Sequence, residues 1–220
     1  MTTQYKGYTV ATNQPPHGGP TLAAILNILD GDDLVALGHN SPEYILRVSL
    51  AMKAAFADRN RHLADNRFEE VPLEWMTSRE RASEWRDILA EGGSIDVGRQ
   101  QQDSGTTHVS VVDQSDNCVS LTHSLGTSSG VITDGLGFMY NNSMVNFDPL
   151  PGRPNSIAPG KGRTTGMTPT LVLKDGRPVL VLGAPGATRI ITSVLQVILN
   201  HLEFGMSITD AVHVARFDCQ

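Results

Sequence analysis

Residues Gly105 to Asp113 read Gly-Thr-Thr-His-Val-Ser-Val-Val-Asp: a glycine, two hydroxyl residues, then the alternation of a β-strand. Ahead of them, Gln100-Gln101-Gln102-Asp103-Ser104 has the polar, small composition of an exposed linker that a cut can reach. A helical pattern lies upstream and a strand-rich one downstream, so this junction organises the whole chain. Thr106-Thr107 by itself fits two readings. Threonine favours strands, and the pair then simply marks a strand start. In the other reading a threonine hydroxyl is a nucleophile, which is weak unless a base stands beside it. Cleavage between Gly105 and Thr106 would provide that base as the freed α-amine.

At 220 residues the chain is long enough for one large domain with a substantial core. An apolar content of 40% with 18% charged residues is ordinary for a globular protein. The net charge of −6 and the lack of a basic run argue against nucleic acid or an anionic membrane as a partner. The longest apolar run, near Val194 to Leu199, is far short of a membrane span. Met1 to Lys6 shows no secretory core, which leaves the compartment undetermined. Cys118 and Cys219 have no disulfide spacing and read as free thiols. The histidines form no ligand-type cluster with a cysteine or with one another, so no metal is expected.

Alternation from Tyr5 to Thr12 predicts one short strand, broken by Asn13 to Pro20. Leu22, Ile25, Leu26 and Leu29 have helical spacing over Thr21 to Leu29. Ser41-Pro42-Glu43 is a cap-and-proline start for a helix to about His62, with Ile45, Val48, Leu50, Met52, Ala55 and Phe56 as its apolar face. A third helix is predicted from Ser78 to Ala90, ended by Gly92-Gly93. Beyond the junction, His108–Asp113 and Cys118–Ser124 form a predicted hairpin about residues 114–117, and Thr170–Lys174 and Pro178–Leu182 a second about Asp175-Gly176. Helices from Thr188 to about Phe204 and from Ser207 to Arg216 complete the pattern. Helices, paired strands and helices in that order predict an α+β layered sandwich, not a doubly wound parallel sheet.

With these segments placed, the chain resembles the γ-glutamyltranspeptidase (glutathione hydrolase) family of N-terminal-nucleophile hydrolases. The match is carried by Tyr5-Lys6-Gly7-Tyr8, Pro15-Pro16-His17-Gly18-Gly19, Ile25 to Leu29, Ala57-Asp58-Arg59, Thr106-Thr107-His108, Leu136 to Asn142, Met167 to Thr170, Gly183-Ala184-Pro185-Gly186 and Arg189-Ile190-Ile191. The resemblance implies a four-layer αββα sandwich and self-cleavage into a large and a small subunit that stay together as a heterodimer. Residues 1–105 then correspond to the C-terminal part of the large subunit and 106–220 to the small-subunit region. It also implies γ-glutamyl transfer or hydrolysis on a small-molecule amide such as glutathione, without a cofactor. The family's large subunit begins well upstream of this segment and its strands continue past it, so the chain is expected to be a fragment. The family's carboxylate-clamping arginine lies in the missing first part.

By the same resemblance Thr106 is the nucleophile and Ser124 the second hydroxyl residue beside it. Gly186 and Ala187 match a Gly-Gly pair whose backbone N–H groups form the oxyanion hole. Alanine in the second position keeps the donor if its φ is negative. The substrate-reading positions depart further. Asn146 stands where the family has the acid that pairs with the substrate α-amine, Ser143 where it has glutamine or glutamate, and Gly126 where it has asparagine. Thr165 and Gly166 replace paired serines that hold the α-carboxylate. An uncharged Asn146 suits acylases of glutaryl-type side chains, which have no α-amine. A glutaryl- or cephalosporin-type acylase and a catalytically inactive scaffold are therefore the alternatives.

Several motifs have plainer readings. His108 in an alternating strand reads as packed or solvated. Gly183 to Gly186 precedes a helix but lacks the Lys-Ser/Thr of a phosphate loop. Asn141-Asn142-Ser143 fits a short glycosylation pattern. Asp58-Arg59 reads as a surface or interhelix ion pair.

Overall fold

A computed structural model describes residues 1–98 and 105–220. The linker expected at residues 100–104 lies outside the described residues. Where one strand was expected, two form: β1 (Thr2–Tyr5) and β2 (Tyr8–Thr12) are the arms of an antiparallel hairpin. Lys6 and Gly7, at φ 48° and 79°, make its two-residue turn. Positive φ at both turn residues matches the twist of the flanking strands, and alternation alone does not reveal such a reversal.

The helices largely follow the sequence pattern. They are α1 (Gly19–Leu29), α2 (Leu34–Leu37), α3 (Pro42–His62), α4 (Leu73–Met76) and α5 (Arg79–Ala90). Ser41 caps α3 by accepting from the Tyr44 amide at 3.1 Å, and Ser78 caps α5 by accepting from the Arg81 amide at 2.9 Å. Every residue of α1 is buried, which makes it the central helix of the core. The buried stripe of α3 runs through Tyr44, Val48, Ala51, Met52 and Ala55. Ile45, expected on that face, is 37% exposed instead. The short α2 and α4 were not foreseen, because a single turn carries too few residues to show a period.

After the junction come β3 (Thr106–Val112), β4 (Cys118–Ser124), β5 (Thr170–Lys174), β6 (Arg177–Leu182), α6 (Arg189–Leu202) and α7 (Ile208–His213). The last helix is shorter than expected, its end marked by the extended backbone of Val214. One antiparallel sheet has the order β1-β2-β5-β6. Val10 pairs with Val172 and Val172 with Leu180, so one row of buried side chains crosses the sheet towards the helices. Each such side chain contributes roughly 1.5–3 kcal/mol. Because β2 pairs with β5, segments from both sides of the junction share one sheet and one core.

The β3–β4 hairpin forms a separate two-stranded sheet against the β5–β6 end of the first. Ser120 pins it there, donating to the Leu182 carbonyl at 2.9 Å and accepting from the Thr170 amide at 3.1 Å. Its other face carries Val109, Val111, Val119 and Leu121, each at least half exposed. Helices, sheet and hairpin supply three layers of the αββα sandwich. Among the described residues no helix covers the outer face of the hairpin.

Candidate active site

Thr106 opens β3 opposite Ser124, the last residue of β4. The Leu125 amide donates to the Gly105 carbonyl at 3.2 Å, so 105 and 125 are a hydrogen-bonded pair of the ladder. The neighbouring pair, 106 and 124, is then non-hydrogen-bonded, the arrangement that brings facing side chains closest. The Thr106 hydroxyl accordingly donates to Ser124 Oγ at 2.9 Å. For the same reason the Thr106 nitrogen is not used by the ladder. Ser124 Oγ also accepts from the Gly126 amide at 3.0 Å, which fixes its orientation. Gly105 sits at φ 111°, and a β-carbon there would meet the Gly126 carbonyl oxygen at 2.6 Å. Only glycine fits the position before Thr106.

A cleft in front of this pair gathers residues far apart in sequence. Thr106, Ser124, Asn146, Thr165, Gly166 and Ala187 all line it, together with Arg59, Asp148, Arg163 and Thr188. Asn146 is buried at the end of a single 3-10 turn, Ser143–Asn146, and its carbonyl accepts from Asn155 Nδ2 at 2.7 Å. Ser143 and Gly126 stand behind the lining. Ser143 Oγ accepts from Arg163 Nη2 at 3.1 Å, and Gly126, at φ 70°, bridges to Asn142.

Thr165 is tied down on three sides. Its amide donates to the Pro16 carbonyl at 3.0 Å, and its Oγ1 accepts from the Met167 amide at 3.1 Å. His17 Nδ1 lies 2.9 Å from that same Oγ1. Burial lowers the His17 pKa, with a further push from the Arg163 charge. The loop carrying Thr165 is anchored by Asp65, which accepts from the Gly162 amide at 2.7 Å and pairs with Arg67 at 2.6 Å.

At the opposite wall Gly186 has φ 126° and Ala187 has φ 61°. The negative φ on which the sequence reading made the Ala187 donor conditional is not found. Its left-handed conformation costs about 1–2 kcal/mol for a residue with a β-carbon. Neither the Gly186 nor the Ala187 amide has a hydrogen-bond partner among the described residues. Two adjacent N–H groups without partners, beside a cleft that Thr106 and Ala187 both line, are the donors an oxyanion site would require.

His108 shares the face of β3 that carries Thr106 but is not among the residues lining the cleft. Its ring nitrogens lie 2.9 Å from Thr122 Oγ1 and 2.9 Å from Ser110 Oγ, and its ring packs on Gly183. Asp58 and Arg59 are not paired with each other. Asp58 bonds Arg81 on α5, whereas Arg59 is buried in the cleft wall. Arg59 is the residue that motif reading missed. Its spacing from Met52, Ala55 and Phe56 puts it on the apolar stripe of α3, and that spacing was the available signal.

The family model described as Gamma-glutamyltranspeptidase matches residues 1–220. The acylase ACY 1 proenzyme of Pseudomonas sp. strain V22 is 41% identical over 218 residues, covering 96% of this chain and 39% of that protein. The glutathione hydrolase proenzyme of Escherichia coli K12 is 34% identical over 236 residues, covering 98% of this chain and 41% of that protein. The chain thus spans about two fifths of the relatives it matches. Among solved structures, a cephalosporin acylase from Bacillus halodurans superposes with a TM-score of 0.78 at 25% identity, over 94% of this chain and 38% of that one.

Proposed function

The chain belongs to the γ-glutamyltranspeptidase family, and from that premise we propose that the full-length protein is a self-cleaving amidohydrolase and acyltransferase with Thr106 as its nucleophile. The observation that carries this reading is the 2.9 Å hydrogen bond between the Thr106 and Ser124 hydroxyls, next to a nitrogen that the strand ladder leaves unused.

In the continuous chain the Thr106 nitrogen is an amide and has no basicity. Hydrolysis of the Gly105–Thr106 bond consumes one water and yields a carboxylate on Gly105 and an amine on Thr106. An N-terminal amine titrates near ~7.7–8.0, so a useful fraction is free base at neutral pH. It accepts the proton as Thr106 Oγ attacks the amide carbonyl of the substrate. Ser124 orients that oxygen, and the Gly186 and Ala187 amides stabilise the tetrahedral oxyanion. Collapse passes the proton to the departing amine and leaves an ester on Thr106. Water or an amino acid then takes the acyl group and regenerates the hydroxyl. Residues 1–105 and 106–220 form parts of the large and small subunits of the processed heterodimer.

The acyl donor is a small-molecule γ-glutamyl amide, with Thr165, Gly166 and Asn146 around the acyl group and Ser143 and Gly126 behind them. A second reading, an acylase for side chains lacking an α-amine, is favoured by Asn146. That residue is buried and carries no charge to meet an ammonium. Parallel assays with γ-glutamyl and glutaryl anilides separate the two. Faster release from the γ-glutamyl compound supports the first reading, and the reverse supports the second. Full activity in a Thr106→Ala variant contradicts both.

A further inference from the structure

The hairpin that carries Thr106 presents a polar row on the face turned to β5 and β6. Thr106 pairs with Ser124, His108 with Thr122 and Ser110 with Ser120, three successive non-hydrogen-bonded pairs of the ladder. His108 sits half-buried in the middle of this row. Its Nδ1 lies 2.9 Å from Thr122 Oγ1 on the opposite strand, and its Nε2 2.9 Å from Ser110 Oγ on its own. Burial lowers its pKa, so the ring is neutral at neutral pH, donating through one nitrogen and accepting through the other. Both nitrogens are engaged by hairpin hydroxyls. The ring is therefore a fixed plate and does not take the Thr106 proton.

That plate lies on Gly183. A β-carbon there would have its three nearest neighbours in the His108 ring, with Cε1 and Nδ1 at 2.3 Å and Cγ at 2.9 Å. Gly183 is not among the residues of positive φ, so the imidazole, and not the turn, is what requires glycine here. Gly183 opens the loop that leads through Ala184 and Pro185 to Gly186 and Ala187. No amide from Gly183 to Ala187 has a hydrogen-bond partner among the described residues. Backbone pairing therefore does not hold the loop; packing at its two ends does. Ala187 is backed by Gly166, and Gly183 by His108. Thr106 and His108 thus stand two residues apart on one strand, the first bearing the hydroxyl and the second bracing the loop that bears the oxyanion donors.

Resting on the reading of Thr106 as nucleophile, we propose that His108 is a positioning residue that fixes the Gly183–Ala187 loop against β3, and so sets where the Gly186 and Ala187 amides stand relative to the Thr106 hydroxyl. An oxyanion donor works only at its built geometry, because hydrogen bonds weaken steeply with misalignment. Substrate binding is a separate matter, since His108 does not line the cleft. Self-cleavage is separate too. The Gly105 carbonyl, where the chain is cut, has its own donor in the Leu125 amide at 3.2 Å.

The test uses the full-length protein with His108→Ala, Gly183→Ala and the double variant, assayed on the faster of the γ-glutamyl and glutaryl p-nitroanilides. Both single variants should still be cut before Thr106. Each should lose at least about 10-fold in kcat with KM within about 3-fold, the pattern of an interaction made only in the transition state. The shape of the pH–rate profile should not change, because His108 moves no proton. In the double variant the new methyl group occupies space that the ring vacates, so kcat should recover by at least about 3-fold over either single variant. A boronic acid reads the oxyanion site directly. Thr106 Oγ adds its electron pair to boron, the α-amine takes the hydroxyl proton, and boron becomes a tetrahedral anion. Affinity for 4-boronobutanoic acid, or for its 2-amino derivative where γ-glutamyl is the faster donor, should weaken by at least about 10-fold in each single variant. Unchanged kcat or boronate affinity in either single variant overturns the proposal, as does a double variant no faster than the single ones. Loss of an ionisation from the His108→Ala profile overturns it as well. If His108→Ala does not fold, Gly183→Ala decides alone, and failure of both to fold or to be cut counts against a role confined to the oxyanion loop. A wild type that neither cleaves itself nor hydrolyses anilides refutes the proposed function instead.

Discussion

Gly166 rests directly on the backbone of Ala187: a β-carbon on Gly166 would lie 2.1 Å from the Ala187 carbonyl oxygen. The left-handed turn at Ala187 and the bare Cα of Gly166 are thus two halves of one contact within the cleft wall. Serine, the residue the resemblance implies at position 166, has no room here. Gly166→Ala and Gly166→Ser should each lower stability by about 1–3 kcal/mol through overpacking. Activity should fall as the Ala187 amide is displaced. Thermal unfolding and anilide hydrolysis measure the two effects, and an unchanged Tm contradicts the contact.

A second prediction concerns the junction of α3 and α5. Asp58 is 1% exposed and accepts from Arg81 Nε at 2.9 Å, Arg81 Nη2 at 2.7 Å and Trp85 Nε1 at 2.7 Å. Arg81 itself lies 4.4 Å from the Trp75 ring and 4.5 Å from the Trp85 ring. Removing the acid leaves a largely buried cation between two indoles with only the exposed Glu84, at 2.8 Å, as counter-ion. Asp58→Ala should cost about 3–5 kcal/mol, read from the shift in denaturant midpoint. A loss below about 1 kcal/mol, the scale of an exposed pair, is the contrary result.

Stability should fall in acid in two steps. His17 has a lowered pKa from burial, so the unfolded chain binds its proton more readily than the fold does. Its contribution is therefore intact above ~6.5, the unperturbed value, and declines as pH drops below it. Asp65 has a depressed pKa, chiefly from the Arg67 hydrogen bond, and its contribution disappears only below the ordinary carboxylate range near ~3.9. Both groups hold the Thr165 loop. Unfolding curves from pH 8 to about pH 1.5 should show the first decline weakened in His17→Asn and the second in Asp65→Asn. Identical profiles for wild type and both variants contradict this.

Cleavage should not release the two pieces. β2 from one side of the junction pairs with β5 from the other over Thr9–Thr12 and Thr170–Leu173, and α1 packs on α6 in the shared core. The products should co-elute in gel filtration and separate only in denaturant. Separate elution in native buffer contradicts the shared sheet.

The long elements were legible in the sequence because period and caps agreed. Ser41-Pro42 and Ser78 marked the starts of α3 and α5, and both serines accept the expected amide bonds. The Lys6-Gly7 reversal was not legible, since alternation continues through it. Nor was the positive φ of Ala187, which depends on a neighbour distant in sequence. Arg59 was misread as half of an ion pair with Asp58. Adjacent helical residues point about 100° apart, and here one turned to α5 while the other turned to the cleft. Motif resemblance named Thr106 and Ser124, but the non-bonded register that joins their hydroxyls is a property of the folded hairpin.

The central claim is that Thr106 becomes an N-terminal residue and uses its own nitrogen as base. Intact mass and N-terminal sequencing of the purified full-length protein test it most directly. The account predicts two polypeptides whose masses sum to the precursor plus one water, the C-terminal one beginning at Thr106, and a single uncut chain for Thr106→Ala. An unbroken wild-type chain that nonetheless hydrolyses amides would contradict it.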